Sequence, residues 1–464
     1  MSNLHKRAGA DRSAAALSVN PLYSGLISEG GVPRYRLPDG PMHPDAALAI
    51  IRDELMMDGN ARLNLATFST TWMEPQAKEL IGECLDRNMV DREEYPQIAD
   101  LEGRCVNMLT ELWHDPGHGI GCSTAGSSEA AMLGGLAMKF AWRRRGHAGD
   151  RPNLVIGTNT HVCWQKFCRY WDVEARLVPI RHHGGAFDLR LDPEDVASHC
   201  DENTIGVVAV LGSTQTGAYD PVAQIAAALD RLEAERGIDV PLHVDAAGGG
   251  FVAPFLQPNL VWDFRLPRVR SINASGHKFG LVYPAVGWVV WQDAADLPDD
   301  LVLHTDVLGG PQETFTLNFS RSGAPIAAQY YNFLRLGFDG YRAVQQTCQD
   351  VARHLVAGIS ELGGLEPLTD GSDLPVFAVR TADDLGCTAR ELSDRLRRRG
   401  WQVPAYHLPP ALEEIQVLRF VIRNGFSFDT ADKLLADLRE VLRDVRAPGG
   451  PEPRARHPLT ALTR

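Results

Sequence analysis

The sequence predicts an α/β protein: a large domain around a mostly parallel, mixed sheet, then a smaller C-terminal α+β domain. Three observations point there. Apolar runs at 153–156, 175–180, 204–211, 242–244, 269–273 and 286–291 alternate with helical segments such as 163–171 and 221–236. Several of these runs are apolar throughout instead of at every second residue, which suits strands covered by helices on both faces. Beyond a long helix starting near Ala324, the pattern changes to strands at 374–379, 401–403 and 415–421, with helices at 389–399 and 429–445. A chain of 464 residues is long for a single core.

In chain order, residues 1–60 read as an N-terminal arm and helix. The first 40 mix Ala, Ser, Gly, Pro and Arg without a sustained period, which suits a poorly ordered lead-in or an arm over a neighbour. A helix starts near Pro44, with Asp45 in its first turn, and carries Ala47, Ile50, Ile51 and Leu55 on one face. Helices follow at 76–87 and 98–113, the second stacking Leu101, Cys105, Met108, Leu109 and Leu112. These stripes are expected to be core. The large domain is expected over 61–345 and the small one over 346–446. The tail 447–464, with its P-G-G-P run, is expected to be disordered.

Composition narrows the function. A formal charge of -13 argues against a nucleic-acid or anionic-membrane surface, and an acidic substrate would need locally placed arginine. No apolar run is long enough to span a bilayer, and the N-terminus lacks a signal-peptide core. The eight cysteines show no C-x-x-C pair, so buried, reduced thiols in a cytoplasmic protein are expected, without disulfides or metal.

Three stretches carry chemistry. Residues 271–280 read S-I-N-A-S-G-H-K-F-G. Lys278 is one of six lysines among 46 basic residues, standing where arginine is the local habit. Unlike arginine, a lysine can be tuned into a nucleophile toward an aldehyde. With Ser275 and His277 beside it, the setting suits pyridoxal phosphate, a phosphate-bearing aldehyde; a surface lysine in a turn explains the same residues. Residues 241–250, P-L-H-V-D-A-A-G-G-G, read as a buried strand ending at Asp245, where open α/β sheets place ligands. A carboxylate there could pair with a pyridine nitrogen, and Ala247 leaves room for a flat ring. A cap or turn aspartate is the other reading. Residues 122–131, C-S-T-A-G-S-S-E-A-A, open a helix whose free amides and dipole would receive a phosphate, with Ser127 and Ser128 adding hydroxyls. An ordinary serine N-cap reads the same way.

In this order, G-S-S-E-A, H-V-D-A-A and S-G-H-K-F-G resemble the pyridoxal-phosphate-dependent group II decarboxylases, and within them the glutamate decarboxylase branch. Segments 57–68 (M-D-G-N-A-R-L-N-L-A-T-F), 91–96 (D-R-E-E-Y-P) and 261–270 (V-W-D-F-R-L-P-R-V-R) extend the likeness over about residues 40–445. The resemblance implies the aspartate-aminotransferase-like fold (fold type I), pyridoxal 5'-phosphate as cofactor, and α-decarboxylation of L-glutamate to 4-aminobutyrate and CO2.

It also implies roles. Lys278 holds the aldehyde, Asp245 pairs with the pyridine nitrogen, and Ser127, Ser128, Ser275 and His277 line the phosphate and its approach. Thr214, in G-S-T-Q-T-G, lies beside the cofactor, though such a threonine is more often a cap. His161 stacks on the ring, as in the wider family; otherwise it caps a helix. Phe319 and Ser320, in L-N-F-S-R, reach the phosphate from a neighbouring subunit, so the protein is expected to be a homo-oligomer with active sites at a dimer interface. Arg419, in V-L-R-F, binds the α-carboxylate, and an arginine in an apolar strand is costly to bury without an anionic partner. Thr67, Phe68, Asn88 and Asp91 contact the distal carboxylate, some from the partner. Arg321 and Arg423 read as structural. The proline-rich C-terminus has no Trp/Lys amphipathic stripe, so no calmodulin binding is expected.

The same fold and lysine also serve aminotransferases, lyases and other decarboxylases; the N-A-T-F and E-E-Y-P segments favour glutamate. One position departs from the family. Most relatives carry a tyrosine before Leu-Gly in a mobile loop, and the resemblance implies that this phenol returns a proton to Cα. Here that position is Val307, in L-V-L-H-T-D-V-L-G-G, with His304 nearby. A slow or non-catalytic homologue is therefore the rival reading.

Overall fold

The computed structural model describes residues 34–69, 71–117, 119–147, 151–180, 189–306 and 312–447. They fall into two units, one represented by residues 34–60 and the other by 61–447. In the first unit, α1 (Pro44–Leu55) begins with proline at its first turn, and the His43 ring accepts from the Asp45 amide at 3.3 Å. Its apolar stripe departs from expectation: Ile51 and Leu55 are exposed and only Ala46 is buried. Among its described residues this unit has no second element for the stripe to pack on.

The second unit opens with α2 (Pro75–Glu83) and α3 (Pro96–Leu112), each started by a proline whose missing N–H costs nothing there. α3 buries Cys105 and Leu109 completely. Then β1 (Ile120–Thr124) leads into α4 (Ser127–Arg144), followed by β2 (Asn153–Gly157), α5 (Val162–Tyr170), β3 (Glu174–Val178), α6 (Pro193–Ser198) and β4 (Thr204–Val210). Next come α7 (Val222–Arg236), β5 (Leu242–Asp245), α8 (Ala253–Leu256), β6 (Val269–Ser275) and β7 (Gly287–Trp291).

Seven of these strands form one sheet in the order β1-β7-β6-β5-β4-β2-β3. β3, β2, β4, β5 and β6 pair in parallel, and β7 runs antiparallel to both neighbours. Every residue of β4 is buried, the cause of its unbroken apolar run. At the edge, β3 exposes Glu174 and Leu177. The carboxyl ends of β4, β5 and β6 therefore open on one side, at Val210, Asp245 and Ser275.

A short hairpin of β8 (Leu303–Thr305) and β9 (Gln312–Thr314) precedes α9 (Ala324–Leu362), which turns at Gly337. Beyond lie β10 (Leu365–Pro367), β11 (Val376–Thr381), α10 (Ala389–Arg397), β12 (Ala405–His407), β13 (Gln416–Val421) and α11 (Phe428–Arg446). The four strands make an antiparallel sheet, β10-β11-β13-β12. Its own core joins Leu355 of α9, Leu396 of α10 and Leu434 of α11 to Phe377 and Phe420, whose rings stack at 5.0 Å. The strand expected at 401–403 is displaced: Gln402 makes only an isolated bridge to Asn64, and the ladder starts at Ala405. Pro404 has no N–H to donate, so pairing resumes after it.

Candidate active site

A cavity of about 470 Å³ opens at the carboxyl ends of β4 and β5 and the start of α4. Ser127, Ser128, His161, Thr214, Asp245, Ala247, His277 and Lys278 line it. α4 begins at Ser127 with no side-chain cap, so its amide dipoles face the cavity uncompensated by a cap. β7 comes so close that a Cβ on Gly287 would lie 2.4 Å from the Ser127 nitrogen, which is why the position needs glycine. The Ser275 hydroxyl, buried at the end of β6, donates to Ser127 Oγ at 2.6 Å.

Lys278 follows β6 in a tight turn. Burial holds its ammonium below the usual lysine value, and Arg419 adds to this while Asp245 and Cys163 oppose it. The turn is fixed from α9. Gln345 Nε2 donates to the Phe279 carbonyl at 2.7 Å, Gln329 Nε2 and Tyr341 Oη to Gly280 at 3.1 and 3.0 Å, and Asn332 Nδ2 to Leu281 at 2.6 Å. Each buried bond contributes about 1 kcal/mol and would cost more to leave unmade.

Asp245 is 3% exposed. Its Oδ2 accepts from Trp164 Nε1 at 2.8 Å, and its Oδ1 from Asn273 Nδ2 at 3.0 Å and the Ala247 amide at 3.2 Å. His277 Nδ1 accepts from the Val286 amide at 3.2 Å, and burial, with Lys278 next, pulls its pKa down to about 4. The ring is therefore neutral and carries its proton on Nε2. His161 caps α5, its Nδ1 accepting from the Cys163 amide at 3.3 Å, and also lines the cavity. Burial first, and Lys278 second, hold its pKa down as well.

Arg419 lies on β13, beside the cavity's Thr214. It donates to the Thr214 carbonyl and, at 2.5 Å, to that of Ala66, while its Nε is buried without a hydrogen-bond partner. No carboxylate among the described residues pairs with it. Burial holds this guanidinium below its usual value. Phe68 joins the two cations: Lys278 Nζ and Arg419 Cζ each lie 5.1 Å from its ring centroid. Among the described residues, Thr67 Oγ1 bonds with Ser69.

Four expected residues stand elsewhere. Phe319 and Ser320 are exposed and do not line the cavity; Asn88 Nδ2 reaches Ser320 Oγ at 3.4 Å, and Asp91 caps the Glu94 amide at 3.1 Å. Arg321 bonds Glu102 at 3.2 Å, and Arg423 bonds the Ser69 carbonyl at 2.8 Å. Val307 lies outside the described residues. His304 is exposed, 4.0 Å from Glu313 across the β8–β9 hairpin.

Sequence reading missed several participants. Glu129, in the first turn of α4, lines the cavity and accepts from the Ala125 amide at 2.8 Å and from Asn318. The S-S-E spacing after a strand was a usable signal for it. Trp164 and Asn273, and Tyr406, whose ring centroid lies 5.6 Å from Arg419 Cζ, gave none, since they meet the site only through tertiary packing.

The chemistry of this donor set fits pyridoxal phosphate. An uncapped helix start with hydroxyls suits its phosphate, a buried amine of lowered basicity its aldehyde, and a carboxylate at a strand end its ring nitrogen. Fold and site together define a pyridoxal-phosphate enzyme of fold type I. Residues 38–375 match the pyridoxal-dependent decarboxylase conserved domain, and the chain belongs to that family. It is 50% identical to a glutamate decarboxylase of Aliivibrio fischeri over 430 residues, covering 91% of this chain and 92% of the relative. A glutamate decarboxylase beta of Listeria monocytogenes is 44% identical over 438 residues, 92% and 93% of the two chains. Among solved structures, a Lactobacillus brevis glutamate decarboxylase superposes with a TM-score of 0.86 at 45% identity, covering 90% of this chain and 96% of that one.

Proposed function

We propose that this chain removes the α-carboxylate of L-glutamate, yielding 4-aminobutyrate and CO2 with pyridoxal 5'-phosphate. The observation that carries the substrate assignment is Arg419: a half-buried guanidinium against Phe68, with a buried, unpartnered Nε and no carboxylate partner among the described residues. Burying a cation unpaired is costly, and a substrate carboxylate relieves that cost. When bound, the cofactor supplies an electron sink that weakens bonds at the substrate's α-carbon.

The protein's residues do the rest. Lys278, its amine held below the usual lysine value by burial, is the group that would hold the cofactor's aldehyde. The start of α4, with Ser127 and Ser128, holds the phosphate, and neutral His277 adds an Nε2–H donor. Asp245 would keep a proton on the ring nitrogen, and His161, Ala247 and Thr214, which line the cavity, would hold the ring. Arg419 fixes the α-carboxylate, so the bond to be broken is chosen by orientation. Thr67 and Phe68 face the remainder of the substrate.

We further infer a homo-oligomer with shared active sites. Phe319, Ser320, Asn88 and Asp91 stand away from this chain's own cavity, Asn88 and Ser320 as an exposed pair, which supports their serving a neighbour's site. No helix among the described residues is long and apolar enough to cross a membrane, and the eight cysteines are free, seven of them buried. These features support a cytoplasmic location. No calmodulin partner is proposed. The test is product analysis: incubation with L-glutamate and pyridoxal phosphate gives CO2 with 4-aminobutyrate as the main amine product. Release of a 2-oxo acid in their place would mark a transaminase.

A further inference from the structure

A histidine that the reading above does not use lies behind Asp245. His243, on β5 two residues earlier, is fully buried, and its ring packs 5.0 Å from that of Trp164. A Cβ on Gly134 of α4 would fall 2.6 Å from His243 Cε1, so that glycine makes room for the imidazole. His243 Nε2 lies 2.7 Å from Asn273 Oδ1, and Nδ1 lies 2.6 Å from Ser271 Oγ. Asn273 Nδ2 in turn donates to Asp245 Oδ1 at 3.0 Å.

The protons along this line follow from chemistry. Asp245 already accepts from Trp164, and Asn273 presents its NH2 to the carboxylate, so Asn273 Oδ1 faces His243. A carbonyl oxygen only accepts, so His243 Nε2 carries the proton. Nδ1 is then bare and accepts from the Ser271 hydroxyl. Burial, which disfavours an imidazolium at His243, keeps it in this single neutral form.

We propose that Ser271, His243 and Asn273 form a one-directional donor chain that holds the Asp245 carboxylate in place for the cofactor's ring nitrogen, with His243 as the positioning residue that prevents the Asn273 amide from flipping. A flipped amide would turn its oxygen on Asp245 and replace attraction by repulsion. The inference rests on the reading that Asp245 pairs with the ring nitrogen.

Three measurements on the full chain test it. In histidine-labelled holoenzyme, nitrogen-detected NMR should find the His243 proton on Nε2 and none on Nδ1. In equilibrium dialysis, His243→Leu and Asn273→Leu should each weaken pyridoxal phosphate binding by about ten- to a hundredfold, the scale of a lost hydrogen bond to a charged group. His243→Gln, whose side-chain amide can donate to Asn273, should recover most of the loss. A proton on Nδ1 overturns the chain, and this arm needs no substitution that could fail to fold. So does a folded His243→Leu protein that binds as the parent does while Asp245→Asn does not. Failure of His243→Gln to recover binding assigns the effect to packing and also overturns it. Unchanged binding in Asp245→Asn would instead remove the reading on which the inference rests.

Discussion

The Ser275 hydroxyl donates to the Ser127 hydroxyl across 2.6 Å, joining the strand end that leads into Lys278 to the first residue of α4. Because Ser127 Oγ accepts this bond, its own proton is left to donate toward the cavity. Ser275→Ala should weaken pyridoxal phosphate binding about fivefold, the equivalent of roughly 1 kcal/mol. Fluorescence titration of the apoenzyme measures it, and an unchanged Kd would show that the serine pair is incidental to phosphate binding.

Lys278 should be the lysine joined to the cofactor. Borohydride reduction of the loaded protein and peptide mapping should recover the label at Lys278. Lys139 is also buried, but its amine is engaged with the Trp171 carbonyl and does not line the cavity. A label on Lys139 or Lys166 would refute the assignment.

Replacing Arg419 separates substrate binding from cofactor binding. Arg419→Ala should retain the cofactor's absorbance while kcat/KM for glutamate falls by the equivalent of about 2–5 kcal/mol. Equal turnover by variant and parent would make Arg419 a structural residue that ties Thr214 to Ala66.

His277 gives a pH signature. Its folded pKa of about 4 lies below the ordinary imidazole value of 6.5. Below 6.5 the unfolded chain takes up a proton that the folded protein refuses until about pH 4. Stability is therefore highest above this window and falls as pH drops through it. Asp220, pushed up to about 6 by burial, acts in the opposite sense over part of the range, so the comparison must be between parent and variant. His277→Asn, which can still accept from Val286, should flatten the decline in apoenzyme stability between pH 6.5 and 4, as followed by urea unfolding. Parallel curves would contradict the neutral assignment.

Val307 makes the last prediction. A positioned acid contributes about 10² to 10⁴ in rate, and valine has no proton to give; His304, the nearest imidazole in sequence, is exposed and beside Glu313. Turnover should be slow, with succinic semialdehyde appearing in a fraction of cycles and activity decaying unless pyridoxal phosphate is added. Val307→Tyr should raise kcat and suppress the semialdehyde. Linear, semialdehyde-free turnover by the parent would mean that another donor serves.

What could be read from the chain was whatever repeats along it or stands at the end of an apolar run. The unbroken run of β4 and the aspartate closing β5 are of that kind, and the residues named from the three motifs line one cavity, except Ser275, which stands behind Ser127. The helical stripe of α1 was legible as a helix but not as an exposed one, because a stripe does not say what it packs against. Segment 401–403 has a strand's composition, but Pro404 withholds the N–H a continuous ladder needs, and pairing begins at Ala405. Glu129 was in view but had no partner to explain it until Asn318, 189 positions away, came beside it. His243 and Asn273 sit 30 positions apart on strands that are neighbours only in the folded sheet, and nothing in either segment alone announces a shared proton.

The amide bonds from α9 to the Lys278 turn act in both directions. Gln329 and Asn332 belong to the stretch before Gly337, Tyr341 and Gln345 to the stretch after it, and all four grip the consecutive carbonyls of Phe279, Gly280 and Leu281. The turn is thus a splint across the bend in the longest helix. The far stretch also builds the core of the second sheet. The angle of that bend is consequently an input to where the Lys278 amine sits, and a change in the bend would be carried to that turn.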